Sequence, residues 1–79
     1  MRPDHEHVQI DWPRLAALMA LRGLRVGQIP LRCNPPRTTG IIGRWRSRGW
    51  IPHYALQVAA EMLALDVPTL TAAIEARHG

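Results

Sequence analysis

Seven prolines divide this 79-residue chain into short pieces, and four of them stand where a helix would begin. Pro13, Pro30, Pro52 and Pro68 each fall in the first turn of a run with helical spacing of apolar residues. A missing N–H costs nothing there, because the first turn of a helix leaves its donors open. Asn34-Pro35-Pro36 acts the other way, as a firm break, since two successive prolines remove donors and push the preceding residue out of helix. The pattern predicts an all-α fold, a small compact helical bundle of about five short helices.

Taken in order, residues 1–10 are polar and lack helical periodicity, which predicts a flexible N-terminal arm with order beginning near Val8. Asp11 then caps a helix over 12–22, with Leu15, Leu18, Met19 and Arg22 on one face and Gly23 ending it. Between Leu24 and Cys33 the signals conflict, because Gly27 and Pro30 interrupt an otherwise apolar run; a helix of one and a half to two turns over about 28–33 satisfies both. Pro52 opens the clearest amphipathic helix, running to about Leu65 with Tyr54, Ala55, Val58, Ala59, Met62 and Leu63 at helical spacing. Pro68 starts a last helix to about Arg77, striped by Leu70, Ala73, Ile74 and Arg77. Its narrow apolar stripe either folds back or meets a second copy of the chain.

The remaining helix is the basic one, over 39–48. Read at about 100° per residue, it sets Ile41, Ile42 and Trp45 on one side, Thr39, Gly40, Gly43 and Ser47 on the other, and Arg44 and Arg46 on the flanks. Thr38 is the expected N-cap, and Gly49 suits the left-handed position past the end. Two glycines inside the helix cost about 1 kcal/mol each relative to alanine. On the outer face, however, a missing Cβ lets a backbone come close to a groove.

Charge is segregated more sharply than the net value of +4 conveys. All ten cations are arginine, eight of them lie between Arg14 and Arg48, and no Asp or Glu occurs from Trp12 to Ala60. The acids are confined to Asp4, Glu6 and Asp11 at one end and Glu61, Asp66 and Glu75 at the other. A positive middle attracts a polyanion. Arginine's planar donor fork matches a phosphate or the major-groove edge of guanine, so double-stranded DNA is the expected partner.

Other classes find little support. Cys33 is the single cysteine and excludes an intrachain disulfide; with no apolar run of about 20 residues and no signal-peptide pattern at the start, a cytoplasmic protein is expected. Cys33 and His53 lack the third group and oxyanion site of a thiol enzyme. His5-Glu6-His7 is too sparse for a metal site, so neither enzyme activity nor a cofactor is expected. A chain of this length supports a modest core, and a partner subunit would help it.

The run Ile42-Gly43-Arg44-Trp45-Arg46-Ser47-Arg48-Gly49-Trp50-Ile51-Pro52, followed by Tyr54-Ala55-Leu56 and Glu61, resembles the Cro and Cro-like antitoxin proteins of bacteriophages and prophages. The resemblance covers about twenty residues. It implies a single helix-turn-helix domain over 11–79 that represses transcription as a homodimer on a partly palindromic operator, with its third helix in the major groove. It further implies that Thr39, Gly40, Gly43, Arg44 and Ser47 face the groove while Trp45 is buried. The chain departs from that family at Asn34-Pro35-Pro36, where a tight turn is usual, and at Gly43, where Ser or Thr is common.

Base reading is accordingly expected of Arg44, Ser47 and Thr39, with Arg46 at a base edge or a phosphate. Arg32, Arg37 and Arg48 are expected phosphate clamps, and Thr38 completes the set at the head of the helix. Trp45 reads as core, while Trp50 is open between packing and stacking on a base. A reading of a different class is a phage-encoded module that grips a host protein, such as RNA polymerase or another acidic surface, with the same scaffold.

Overall fold

The computed structural model describes residues 7–75, and within them the order is β1 (His7–Gln9), α1 (Trp12–Ala20), α2 (Gln28–Arg32), α3 (Ile41–Arg48), β2 (Trp50–Pro52), α4 (His53–Met62) and α5 (Val67–Ile74). Five short helices surround one core built from Leu15 and Met19 of α1, Ile29 of α2, Ile42 and Trp45 of α3, Leu56 and Ala59 of α4, and Leu70 and Ile74 of α5. The described residues bury no charged or polar side chain. Apolar burial therefore supplies the main driving force.

The helix heads form as their sequences dictate. The Asp11 carboxylate accepts from the Arg14 amide at 3.3 Å, with Pro13 in the first turn behind it. Cys33 is buried and ends α2, and the Asn34–Pro35 peptide that follows is cis. Gly49 adopts φ 75° and donates to the carbonyls of Trp45 and Arg46 at 2.9 and 3.1 Å, closing α3. Alanine would be strained at that φ.

Two expectations about the fold need correction. The fold is mostly helical rather than all-α, because β1 and β2 pair antiparallel in the register His7↔Pro52, Val8↔Ile51, Gln9↔Trp50. Pro52 biases Ile51 towards extended backbone, and the fully buried Ile51 gives the pairing an apolar anchor. Ile10 then enters the core, its amide donating to the Gly49 carbonyl at 3.2 Å, while the Asp11 amide reaches the Ile74 carbonyl at 2.7 Å. The segment expected to be loose thus ties the ends of α3 and α5 together from His7 onward. The arm proper, residues 1–6, and the His5-Glu6 pair lie outside the described residues, as does Arg77.

The second correction concerns the face of α4. Its core side is centred on Ala55, Leu56, Ala59, Ala60 and Leu63, whereas Tyr54, Val58 and Met62 are only half-buried. Leu56 and Ala60 point inward because α4 is covered by α2, β2 and α5 together, which widens its apolar arc. The helix also stops at Met62, short of Leu65, with Ala64 in the left-handed region. Of the two fates open to the last helix, folding back is the one adopted: Leu70 and Ile74 are fully buried against α1 and α4. Among the described residues no single helix is long and apolar enough to cross a membrane.

Candidate nucleic-acid interface

α3 divides into two sides. Ile42 and Trp45 are 6% and 2% exposed and Ile41 is half-buried, whereas Gly43, Arg44, Arg46, Ser47 and Arg48 are all exposed. At about 100° per residue, Gly43 and Ser47 point most directly outward, Arg44 and Arg48 share one flank, and Arg46 takes the other. The result is a narrow ridge of small residues between two arginine walls. The back of the ridge is held by Trp45, whose ring meets Tyr54 edge-on at 6.3 Å between centroids and 77° between planes.

The head of α3 forms without the expected cap. Gly40 is the N-cap residue and no side chain caps the helix. The first turn is instead closed by main-chain bonds from Ile41 to the Thr38 carbonyl, Ile42 to Thr39 and Gly43 to Gly40, at 3.3, 3.1 and 3.2 Å. These three-residue closures satisfy donors that a Thr38 hydroxyl would otherwise have met, so that side chain stays at the surface. Thr38, Gly40, Ile41 and Arg44 then line an open recess of about 240 Å³.

Arg37 is attached to the scaffold as well as exposed. Its amide donates to the Pro30 carbonyl at 2.8 Å, and its guanidinium lies 5.1 Å from the centre of the Tyr54 ring. This cation–π contact holds the 33–40 connection against the first turn of α4. Cys33 lies nearby: burial pushes its thiol above the ordinary range, opposed by the positive charge of Arg37. The thiol donates to the Ile29 carbonyl at 3.3 Å, which suits a packed neutral side chain. Burial likewise raises the Tyr54 hydroxyl, with Arg37 again opposing.

Trp50 is occupied from within the chain. The His7 ring stacks on it at 3.6 Å and 15°, the Arg48 guanidinium stands 6.0 Å from it, and its carbonyl accepts from Trp12 Nε1 at 3.2 Å. One face of that indole is therefore covered, which favours packing over base stacking. His7 and Tyr54 were the contributors that spacing did not reveal: each acts through a contact with a residue distant along the chain.

The structure thus gathers Thr38, Gly40, Gly43, Arg44, Arg46, Ser47 and Arg48 on α3 and its head, places exposed Thr39 in the same turn, and sets Arg37 just before it. Arg32 stands apart. It opens on a separate recess with Val58, Glu61 and Met62. α2 and α3 are joined by residues 33–40, longer than the tight turn of a standard helix-turn-helix.

A Cβ at Gly43 would meet nothing within 4 Å, so Gly43→Ala is expected to stabilise the free protein by about 0.5–1 kcal/mol through helix propensity alone. Thermal melting followed by circular dichroism checks it; a lower melting temperature would mean that residue 43 is not in an open helical position. Compared with known proteins, the chain matches no family model, no curated protein and no solved structure.

Proposed function

We propose that the protein is a sequence-specific DNA-binding regulator, a Cro-like repressor of phage type, that lays α3 in the major groove of an operator and represses by occupying it. The observation that carries this reading is the outer ridge of α3, small at Gly43 and Ser47, walled by Arg44, Arg48 and Arg46, and fixed from behind by Ile42 and Trp45. An α-helix of about 10–12 Å diameter fits a major groove about 12 Å wide, and small outward residues let it seat deeply. The acid-free stretch from Trp12 to Ala60 removes repulsion from the phosphates on either side. The resemblance of residues 42–52 to Cro-like proteins points the same way, with α2 and α3 forming a helix-turn-helix whose turn is lengthened by Asn34-Pro35-Pro36.

In this reading Arg44, Ser47 and Thr39 read base edges, while Arg37, Arg46 and Arg48 meet phosphates. Three phosphates neutralised per copy predict that log affinity falls with log salt at a slope of about −3 per bound copy. Fluorescence anisotropy of a labelled duplex across a salt series measures it. A slope near zero, or no retention of duplex at low salt, would refute the proposal and direct attention to an acidic protein partner instead.

A further inference from the structure

The two-stranded sheet adds a group to the end of α3 that the helix itself does not supply. Side chains alternate along a strand, so with Ile51 fully buried and paired to Val8, the residues His7, Gln9 and Trp50 fall on the opposite, outer side. His7 sits diagonally across from Trp50, an offset at which two rings can meet. Those rings stack at 3.6 Å and 15°, and the Arg48 guanidinium stands 6.0 Å from the same indole. His7 is exposed. Trp50 thus holds an imidazole next to the last arginine of the α3 ridge.

Main-chain and indole hydrogen bonds fix this corner in place. The Ile10 amide donates to the Gly49 carbonyl and Trp12 Nε1 to the Trp50 carbonyl, both at 3.2 Å. Histidine is the side chain that ordinarily changes charge between about pH 5 and 8. Among the described residues, the charged or titratable groups on its side are Arg48 from α3 and His53, which follows the strand partner Pro52 at the head of α4; Asp11 and Glu75 lie past the other end of β1, where Ile10 bridges to Glu75. Glu6, the residue before it, lies outside the described residues. The acid-free stretch from Trp12 to Ala60 brings no carboxylate to this corner, so an anion drawn to Arg48 meets the imidazole as a neighbouring donor.

We infer that His7, in its protonated form, is a phosphate ligand beside Arg48, so that duplex binding takes up a proton and strengthens as pH falls. The inference rests on the DNA-binding reading of α3 and adds to it a contact from outside that helix. Linkage sets the sign: the form that binds more tightly carries the extra proton, so affinity is highest below the histidine range and falls as pH rises through it.

Fluorescence anisotropy of a labelled duplex at about pH 5.5 and about pH 8, each across a salt series, tests it with the parent, His7→Gln, His7→Arg and His53→Gln. The parent is expected to bind about tenfold more tightly at the lower pH, because a hydrogen bond between two charged groups is among the strong ones. Its log–log salt slope should also steepen there by about one. His7→Gln should lose both effects and match the parent at the higher pH. His7→Arg keeps a charge on the Trp50 ring at either pH, and should show the parent's low-pH affinity and slope throughout. His53→Gln should behave as the parent does. A merely structural role for His7 would leave the salt slope unmoved. A pH effect that survives in His7→Gln or disappears in His53→Gln overturns the inference while leaving α3 as the interface; so does a parent indifferent to pH, or a His7→Arg protein no tighter than His7→Gln. Absence of duplex binding at both pH values overturns the DNA reading and the inference together.

Discussion

Trp45→Ala is expected to abolish the cooperative thermal transition, leaving the protein largely unfolded at room temperature. Trp45 is 2% exposed, packs edge-on to Tyr54 and is the largest side chain that α3 contributes to the core. Truncating a buried tryptophan costs about 3–5 kcal/mol, the transfer loss plus the cavity left behind. A single domain of this size has about the same in total net stability. Trp45→Phe, which keeps most of the apolar volume, should retain a cooperative melt at reduced temperature. Ser47→Ala, two residues along and on the exposed side, should stay within about 0.5 kcal/mol of the parent. Differential scanning calorimetry reads all three. A cooperative melt of Trp45→Ala near the parent's temperature would show that α3 is not anchored through its back.

Under the proposed DNA-binding function, Arg44→Ala and Arg37→Ala are expected to damage binding in different ways. Arg44 flanks the outer ridge and lines the recess at the head of α3, so removing it should lower affinity for a selected operator by about 1–3 kcal/mol and relax base preference, with little change in stability. Arg37 lies before the helix and over the Tyr54 ring. Its loss should weaken all sequences alike and also lower stability by about 0.5–1 kcal/mol through the missing cation–π contact. The Tyr54→Leu variant, which also removes the edge-on contact with Trp45, should lower stability at least as much as Arg37→Ala while leaving the guanidinium available to DNA. Competition binding against operator and scrambled duplexes, paired with melting curves, measures both. Equal affinity of all variants for the operator would remove α3 from the interface.

Much of this architecture was legible because proline and glycine act locally. Pro13 and Asp11, Gly49 and Pro68 mark helix ends by backbone chemistry that depends on a few neighbouring residues, and each stands at the end it announces. The buried side of α3 was equally legible, since Ile42 and Trp45 are the bulky apolar residues of a short helix. What local chemistry cannot carry is the pairing of distant segments. Val8 against Ile51 makes a strand only when both arrive together, so β1 read as a loose arm and β2 as a bridge. The orientation of α4 failed for the same reason: small alanines at 55, 59 and 60 give a weak apolar signal, and close packing by three neighbours decides which way they face. Thr38 had the chemistry of a cap, but main-chain closures at 38–40 filled that role first. Nor does spacing bring Arg37 to Tyr54 or His7 to Trp50, since each contact crosses more than a dozen residues of chain.

The most direct test is a titration of the isotopically labelled protein with a short duplex, followed amide by amide by nuclear magnetic resonance at low salt. Gly43, Arg44 and Ser47 should shift first and furthest, while Leu70 and Ile74 on the buried face of α5 stay in place. Shifts confined to other faces with α3 unmoved, or no shifts at all, would contradict a duplex seated on the outer ridge of α3.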